Sequence, residues 1–257
     1  MRVSPSASTL RALDWLSLPL FAAIWQVTAM IVQSRFLPTP LAVADHIALL
    51  TSNGSMLEDF RQTLMRALLG FVLAMGVGTA LGLLLGRFRV ADHLFGNWVV
   101  VGLNMPAIVV AIMIYIWLGL TEVALVLAVV VVNKVPLVVT MVREGVRSFL
   151  PAYDELADAF RLSPARRFRL IFVPQLMPFI LAAGRTGLAL VWKIVLVFEV
   201  LGSDGGVGFR ISIFFQYFDM LGILAYTSVF IAVVMALEYG LLRPLERRVL
   251  KWRLVRG

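Results

Sequence analysis

The residues best placed to do chemistry in this sequence form a polar island, Asp154 to Pro174, between two long apolar runs. Their types point to recognition of another protein rather than to bond-making. Asp154 and Glu155 put negative charge in the first turn of a short helix, where the helix dipole favours it. Ala157 and Ala159 are small enough to let a partner surface approach closely. Arg161-Leu162 interrupts that helix, and Ser163-Pro164 then supplies an N-cap followed by proline at the first position of a second helix. Pro174 and Pro178 are expected to end the second helix and to set the angle at which the chain continues.

A second set of candidates sits inside the apolar runs. Arg66, Lys134, Arg185, Lys193 and Glu199 are costly in such surroundings and are expected to face a bundle interior or a wet cavity. Arg66 and Glu199 fall at similar depths in antiparallel segments, so a structural ion pair between them is expected, with Lys193–Glu199 as the other pairing that fits. Asn104-Met105-Pro106 and Asn133-Lys134-Val135-Pro136 each set a proline beside an asparagine. Each proline removes a backbone hydrogen bond and tends to kink its helix. The kinks either serve packing alone or open a pathway lined by Asn104, Asn133 and Lys134, to which Lys193 would add a second cation; unpaired cations there would draw in an anion. Beyond Glu199, the glycines Gly202, Gly205, Gly206 and Gly208 read as a mobile outer gate or as a plain turn. No Gly-x-x-x-x-Gly-Lys-Ser/Thr occurs, so any nucleotide belongs to another chain. His46 and His93 lie far apart without ligands at metal spacing, and the chain has no cysteine, so no metal site is expected and disulfide and thiol chemistry are excluded.

The elements that carry these residues follow from composition. With 257 residues, 61% of them hydrophobic, 15% charged, and a mean hydropathy of +0.93, the chain reads as an all-α integral membrane protein. About six transmembrane segments are expected near 13–33, 60–86, 94–118, 121–142, 176–201 and 221–242. The first has no small-residue cleavage site after it and is expected to remain as a helix. Residues 1–58 read as this helix plus an outer amphipathic segment over 41–50, residues 59–243 as the main membrane domain, and 244–257 as a basic tail. Most of the 23 Lys and Arg fall on the side of the termini and the island, against Arg35, Arg61 and Arg210 on the other, so both termini are expected in the cytoplasm. The net charge of +8 reflects this topology, and nucleic acid is not an expected partner.

The island's order, acidic-x-Ala-x-Ala-Phe, then Leu-Ser, then a basic and aromatic segment closing on Ile-Phe-Val-Pro, resembles the EAA loop of binding-protein-dependent ABC transporter permeases. Leu188 to Lys193, Phe198 to Gly202, Leu64 to Phe71 and Leu37-Pro38-Thr39-Pro40 are similar to the nitrate, sulfonate and taurine branch, and the resemblance covers nearly the whole chain. It implies a type I ABC importer permease, a multi-pass protein of the bacterial inner membrane, surrounded by lipid. Two copies would form the pathway for a small anionic solute such as a sulfonate, taurine, nitrate or a carboxylate. An extracytoplasmic binding protein would deliver the solute. Two ATPase subunits would grip the loop and hold ATP and Mg, leaving this chain non-catalytic and without a cofactor of its own. The family usually has glycine where this chain has Arg161, which predicts a looser turn or a direct contact by Arg161. The rival readings are a stand-alone ion-coupled transporter, for which Glu199 is the foremost acidic group, and a membrane-embedded lipid enzyme, for which no clustered His or Asp/Glu constellation is present.

Overall fold

In the computed structural model, which describes residues 7–131, 134–242 and 244, every element is helical: α1 Ala7–Val32, α2 Pro40–Ser52, α3 Ser55–Arg87, α4 Arg89–Asn104, α5 Ala107–Leu118, α6 Glu122–Val131, α7 Lys134–Arg147, α8 Pro151–Ala159, α9 Pro164–Arg167, a π-turn Phe168–Phe172, α10 Val173–Gly202, α11 Val207–Gln216 and α12 Met220–Leu237 with a second π-turn Glu238–Leu242. A bilayer offers backbone groups no water to bond, so helices are the available answer. Among the described residues four helical stretches are long and apolar enough to cross: α3, α6 with α7, α9 through α10, and α12; they become five if α4 and α5 count as one broken span.

A stripe of small residues sets the centre. On α3, Gly70, Gly78, Gly82 and Gly86 oppose Val129, Val138, Val142 and Val146 in order, so α3 runs parallel to α6 and α7. A Cβ added at Gly78 would stand 2.6 Å from Val138 Cβ, and one at Gly82 would stand 2.7 Å from Val142 Cβ. Lipid tails are as apolar as leucine, so helices in a membrane associate by close packing, and bare backbone permits it. Helix α10 returns antiparallel, bringing Phe179 against Gly145 and Val191, Val195 and Phe198 into the core with Leu125 and Val129.

Two of the proline expectations are corrected. The segment 94–118 is not one kinked helix: α4 and α5 meet at 103°. Met105 and Pro106 are both extended, with ψ of 131° and 125°, because the residue before a proline is pushed out of the helical region. Pro174 and Pro178, in turn, do not end the second island helix. α9, the π-turn and α10 run on without a stop, and Val173 N–H bonds to Phe168 O, five residues back. The widened turn sits immediately before Pro174, where an ordinary α-turn would press the proline ring on the carbonyl of Leu170.

Candidate functional site

At the Asp59 end of α3, three polar residues follow one helical face: Asp59, Thr63 and Arg66, all at most 4% exposed. Arg66 donates from Nη1 to Glu199 Oε1 at 2.8 Å and to Gly205 O at 2.6 Å. Its other edge faces Glu122, with Nε donating to Oε2 at 2.8 Å and Nη2 paired to Oε1. Glu199, fully buried on α10, also accepts from Thr63 Oγ1 at 2.9 Å and from Gly208 N–H at 2.9 Å. A buried carboxylate is tolerable only when its lone pairs are met in this way. One turn away, Asp59 Oδ2 accepts from Tyr226 Oη at 2.6 Å and from Arg210 Nε at 3.0 Å. The networks tie α3 to α6, α10, α11 and α12. Asp59, Thr63, Glu122, Arg210 and Tyr226 were not singled out from sequence. The spacing 59, 63, 66 was a visible signal on α3, but the partners lie far off in sequence, Glu122 on α6 at 56 residues and the others at 133 to 167 residues in α10 through α12.

The glycines after Glu199, read from sequence as a mobile outer gate or a plain turn, pack closely against the ion network. Gly205, Gly206 and Gly208 are buried. Gly206 has φ +97°, and a Cβ there would stand 2.3 Å from Glu199 Oε1, while one at Gly208 would stand 2.5 Å from Leu196 O. Val207 N–H donates to Thr63 Oγ1 at 2.8 Å. These glycines let the backbone press onto the ion network and donate to it. Gly202 similarly makes room for Leu120, which a Cβ would meet at 2.3 Å.

The residues expected along a pathway part company. Lys134, at the start of α7, is 1% exposed, and its Nζ has no hydrogen-bond partner among the described residues. The amine sits in the space left by Gly187, 3.3 Å from where that residue's Cβ would be, beside Phe71. Lys193 and Arg185 on α10 are exposed, so Lys134 and Lys193 do not share one wall within a single chain. The Lys193–Glu199 alternative is not formed either, Glu199 being held by Arg66. Asn104 is exposed and donates from Nδ2 to Val100 O at 2.8 Å, satisfying the last turn of its own helix. Asn133 lies outside the described residues.

The island forms a helical hairpin. α8 closes with Arg161 N–H on Asp158 O at 3.0 Å and Leu162 N–H on Ala157 O at 2.9 Å, the paired bonds of a Schellman cap. Arg161 occupies the left-handed position of that cap, with φ +46°, and the turn is as tight as a glycine would make it. Ser163 is the N-cap and Pro164 the first residue of α9. Arg167 reaches back across the hairpin, with Nη2 2.8 Å from Asp154 Oδ1 and Nη1 3.1 Å from Asp158 Oδ1, so two acids of α8 are used within the loop. Glu155 and Ala159 remain exposed, whereas Ala157 is 1% exposed. The small size of Ala157 therefore serves packing inside the chain, not an open surface. The outward face carries Tyr153, Leu156 and Phe160, the last 72% exposed.

Comparison with known proteins gives this arrangement a family. Residues 74–251 match the model of the binding-protein-dependent transport system inner membrane component. The putative aliphatic sulfonates transport permease protein SsuC of Bacillus subtilis is 28% identical over 233 residues, 90% of this chain and 84% of that protein. The riboflavin transport system permease protein RibX of Chloroflexus aurantiacus is 29% identical over 262 residues, covering 98% of this chain and 96% of its own. Among solved structures, an inward-facing conformation of the MetNI methionine ABC transporter superposes with a TM-score of 0.63 at 17% identity, covering 77% of this chain and 98% of the other. Permeases of this kind carry no ATPase chemistry, which resides in a partner subunit. With a family match over most of its length and a type I importer fold, the chain belongs to the binding-protein-dependent transport system inner membrane components, as a non-catalytic, multi-pass inner-membrane permease of an ABC importer.

Proposed function

We propose that the chain forms, as a homodimer, the inner-membrane pathway for a small anionic solute of the sulfonate type, delivered by a binding protein and driven by two ATPase subunits seated on the 150–175 loop, with both termini in the cytoplasm. The observation that carries the anionic part is Lys134, buried among α3, α7 and α10 with no hydrogen-bond partner for its Nζ among the described residues. A lone ammonium in a low-dielectric site attracts an anion far more strongly than one in water. The similarity to an aliphatic sulfonates permease agrees with that charge. The loop's part rests on the exposed Tyr153, Leu156 and Phe160 beside Glu155, an apolar stripe with an acidic edge suited to a cleft on a partner. In this reading Arg66 and Glu199 hold the helices in place, while Asn104 and Lys193 face the pathway between the two copies.

The test is uptake of a labelled alkanesulfonate by proteoliposomes containing the permease, its ATPase and its binding protein. Lys134→Met is expected to abolish most uptake while the assembled complex is recovered in wild-type yield. Lys134→Arg is expected to restore part, since the charge returns with a different shape. Full uptake by Lys134→Met overturns the anionic reading.

A further inference from the structure

At the Arg87 end of α3, opposite to the Asp59 networks, two cavities lie side by side. One is a cleft of about 570 Å³ whose rim carries Arg87, Arg89, His93 and Arg147 against a single acid, Asp92. Asp92 is already paired with Arg147 and with Arg143 at 3.2 Å. Arg87 and Arg89 are exposed and have no ion-pair partner among the described residues, so the cleft keeps an excess of positive charge. The second cavity is a groove of about 390 Å³ between α3, α4 and α7, lined by apolar side chains only, among them Leu81, Phe95, Trp98, Val99 and Pro136. Leu85 lines both, so the basic cleft and the apolar groove are neighbours on opposite sides of one buried side chain.

The proportions fit one kind of molecule. From Arg147 at the mouth to Val135 deep in the groove is twelve residues of helical stretch, about 18 Å at ~1.5 Å per residue, close to the ~15 Å thickness of half a hydrocarbon core. The groove's outer wall is open: Trp98 is 71% exposed and Phe95 53%. A free phosphate or carboxylate would use the cleft and leave the groove without purpose. A neutral lipid would use the groove and leave two unpaired arginines. We propose that this paired site holds an anionic diacyl phospholipid, its headgroup phosphate between Arg87 and Arg89 and one acyl chain along the groove beside Trp98. Arg147 is four residues from the start of α8, so the headgroup lies at the base of the 150–175 loop.

The test uses the assembled permease–ATPase complex. Lipid retained through detergent purification is extracted and quantified by mass spectrometry for the wild type, for Arg87→Gln with Arg89→Gln, and for Val99→Trp, which fills the groove and leaves every charge in place. The wild type is expected to retain phosphatidylglycerol over phosphatidylethanolamine. Each arginine near an anionic headgroup contributes about five-fold, so the double variant should bind phosphatidylglycerol about thirty-fold more weakly, and Val99→Trp should lose the selective retention with its charges intact. In nanodiscs of phosphatidylcholine, adding phosphatidylglycerol should raise the unfolding temperature of the wild type, and millimolar inorganic phosphate should not. Equal retention by all three proteins overturns the proposal, and so does an equal rise with phosphate alone, which would make the cleft an anion site without a lipid. Efficient disulfide formation between two copies through Trp98→Cys, in a chain otherwise free of cysteine, would also overturn it by showing that a second copy covers the groove.

Discussion

Arg161 is the sharpest test of the loop, because its conformation and its side chain make separate claims. Its backbone sits at φ +46° in the left-handed position of the cap, where a residue with a Cβ costs about 1–2 kcal/mol. Glycine avoids that cost but loses more freedom on ordering, about 0.5–1 kcal/mol. The difference leaves Arg161→Gly more stable locally by about 0.5–1 kcal/mol. Arg161 is exposed, and its side chain has no hydrogen-bond or ion-pair partner among the described residues to lose. The readout is hydrogen exchange of the α8 amides and of Leu162 N–H, which report opening of the hairpin rather than of the whole protein. At about 1.4 kcal/mol per tenfold, exchange should slow about two- to five-fold. Arg161→Val should speed it, because a β-branched residue is a worse occupant of this region. Exchange that is unchanged or faster in Arg161→Gly would refute the argument from strain. Slower exchange together with loss of substrate-stimulated ATP hydrolysis would show instead that the guanidinium itself touches the ATPase.

Three further outcomes follow from the packing. Arg66→Met strands the buried Glu199 and should cost about 3–5 kcal/mol, read as a lower unfolding temperature and folded yield; adding Glu199→Met should recover much of it, and an unchanged unfolding temperature in the single variant would argue against the network. Gly82→Leu should separate α3 from α7 at a cost of at least about 1–3 kcal/mol, whereas Gly76→Ala, with nothing within 4 Å of its added Cβ, should be neutral or stabilising by about 0.5–1 kcal/mol; equal effects would deny that the glycine stripe sets the helix approach. Ala157→Trp should loosen α8 by hydrogen exchange, since its site is closed within the chain, while Glu155→Lys should leave α8 protected and weaken retention of the ATPase on co-purification.

What could be read from the sequence and what could not divide along a physical line. The helix stop at Arg161-Leu162 and the restart at Ser163-Pro164 are set by a few neighbouring residues, and so they were legible. The same holds for four of the six expected spans, those near 60–86, 121–142, 176–201 and 221–242, because length and composition alone decide whether a helix suits a bilayer. The glycines of 202–208 could be read from sequence only as a mobile gate or a plain turn, because a glycine means freedom or close approach according to what faces it. Here the facing groups are Leu196 and Glu199 from α10, Gln62 and Arg66 from α3, and Leu120 from the turn before α6, and their approach is set by the tertiary fold, not by the local string. Proline was misread for a related reason. Met105-Pro106 breaks a span by 103°, whereas Pro174 is absorbed by a π-turn and Pro178 by an uninterrupted helix. The missing N–H is identical in all three, and the tertiary surroundings decide whether the freed carbonyl and the ring are accommodated in place or by turning the chain.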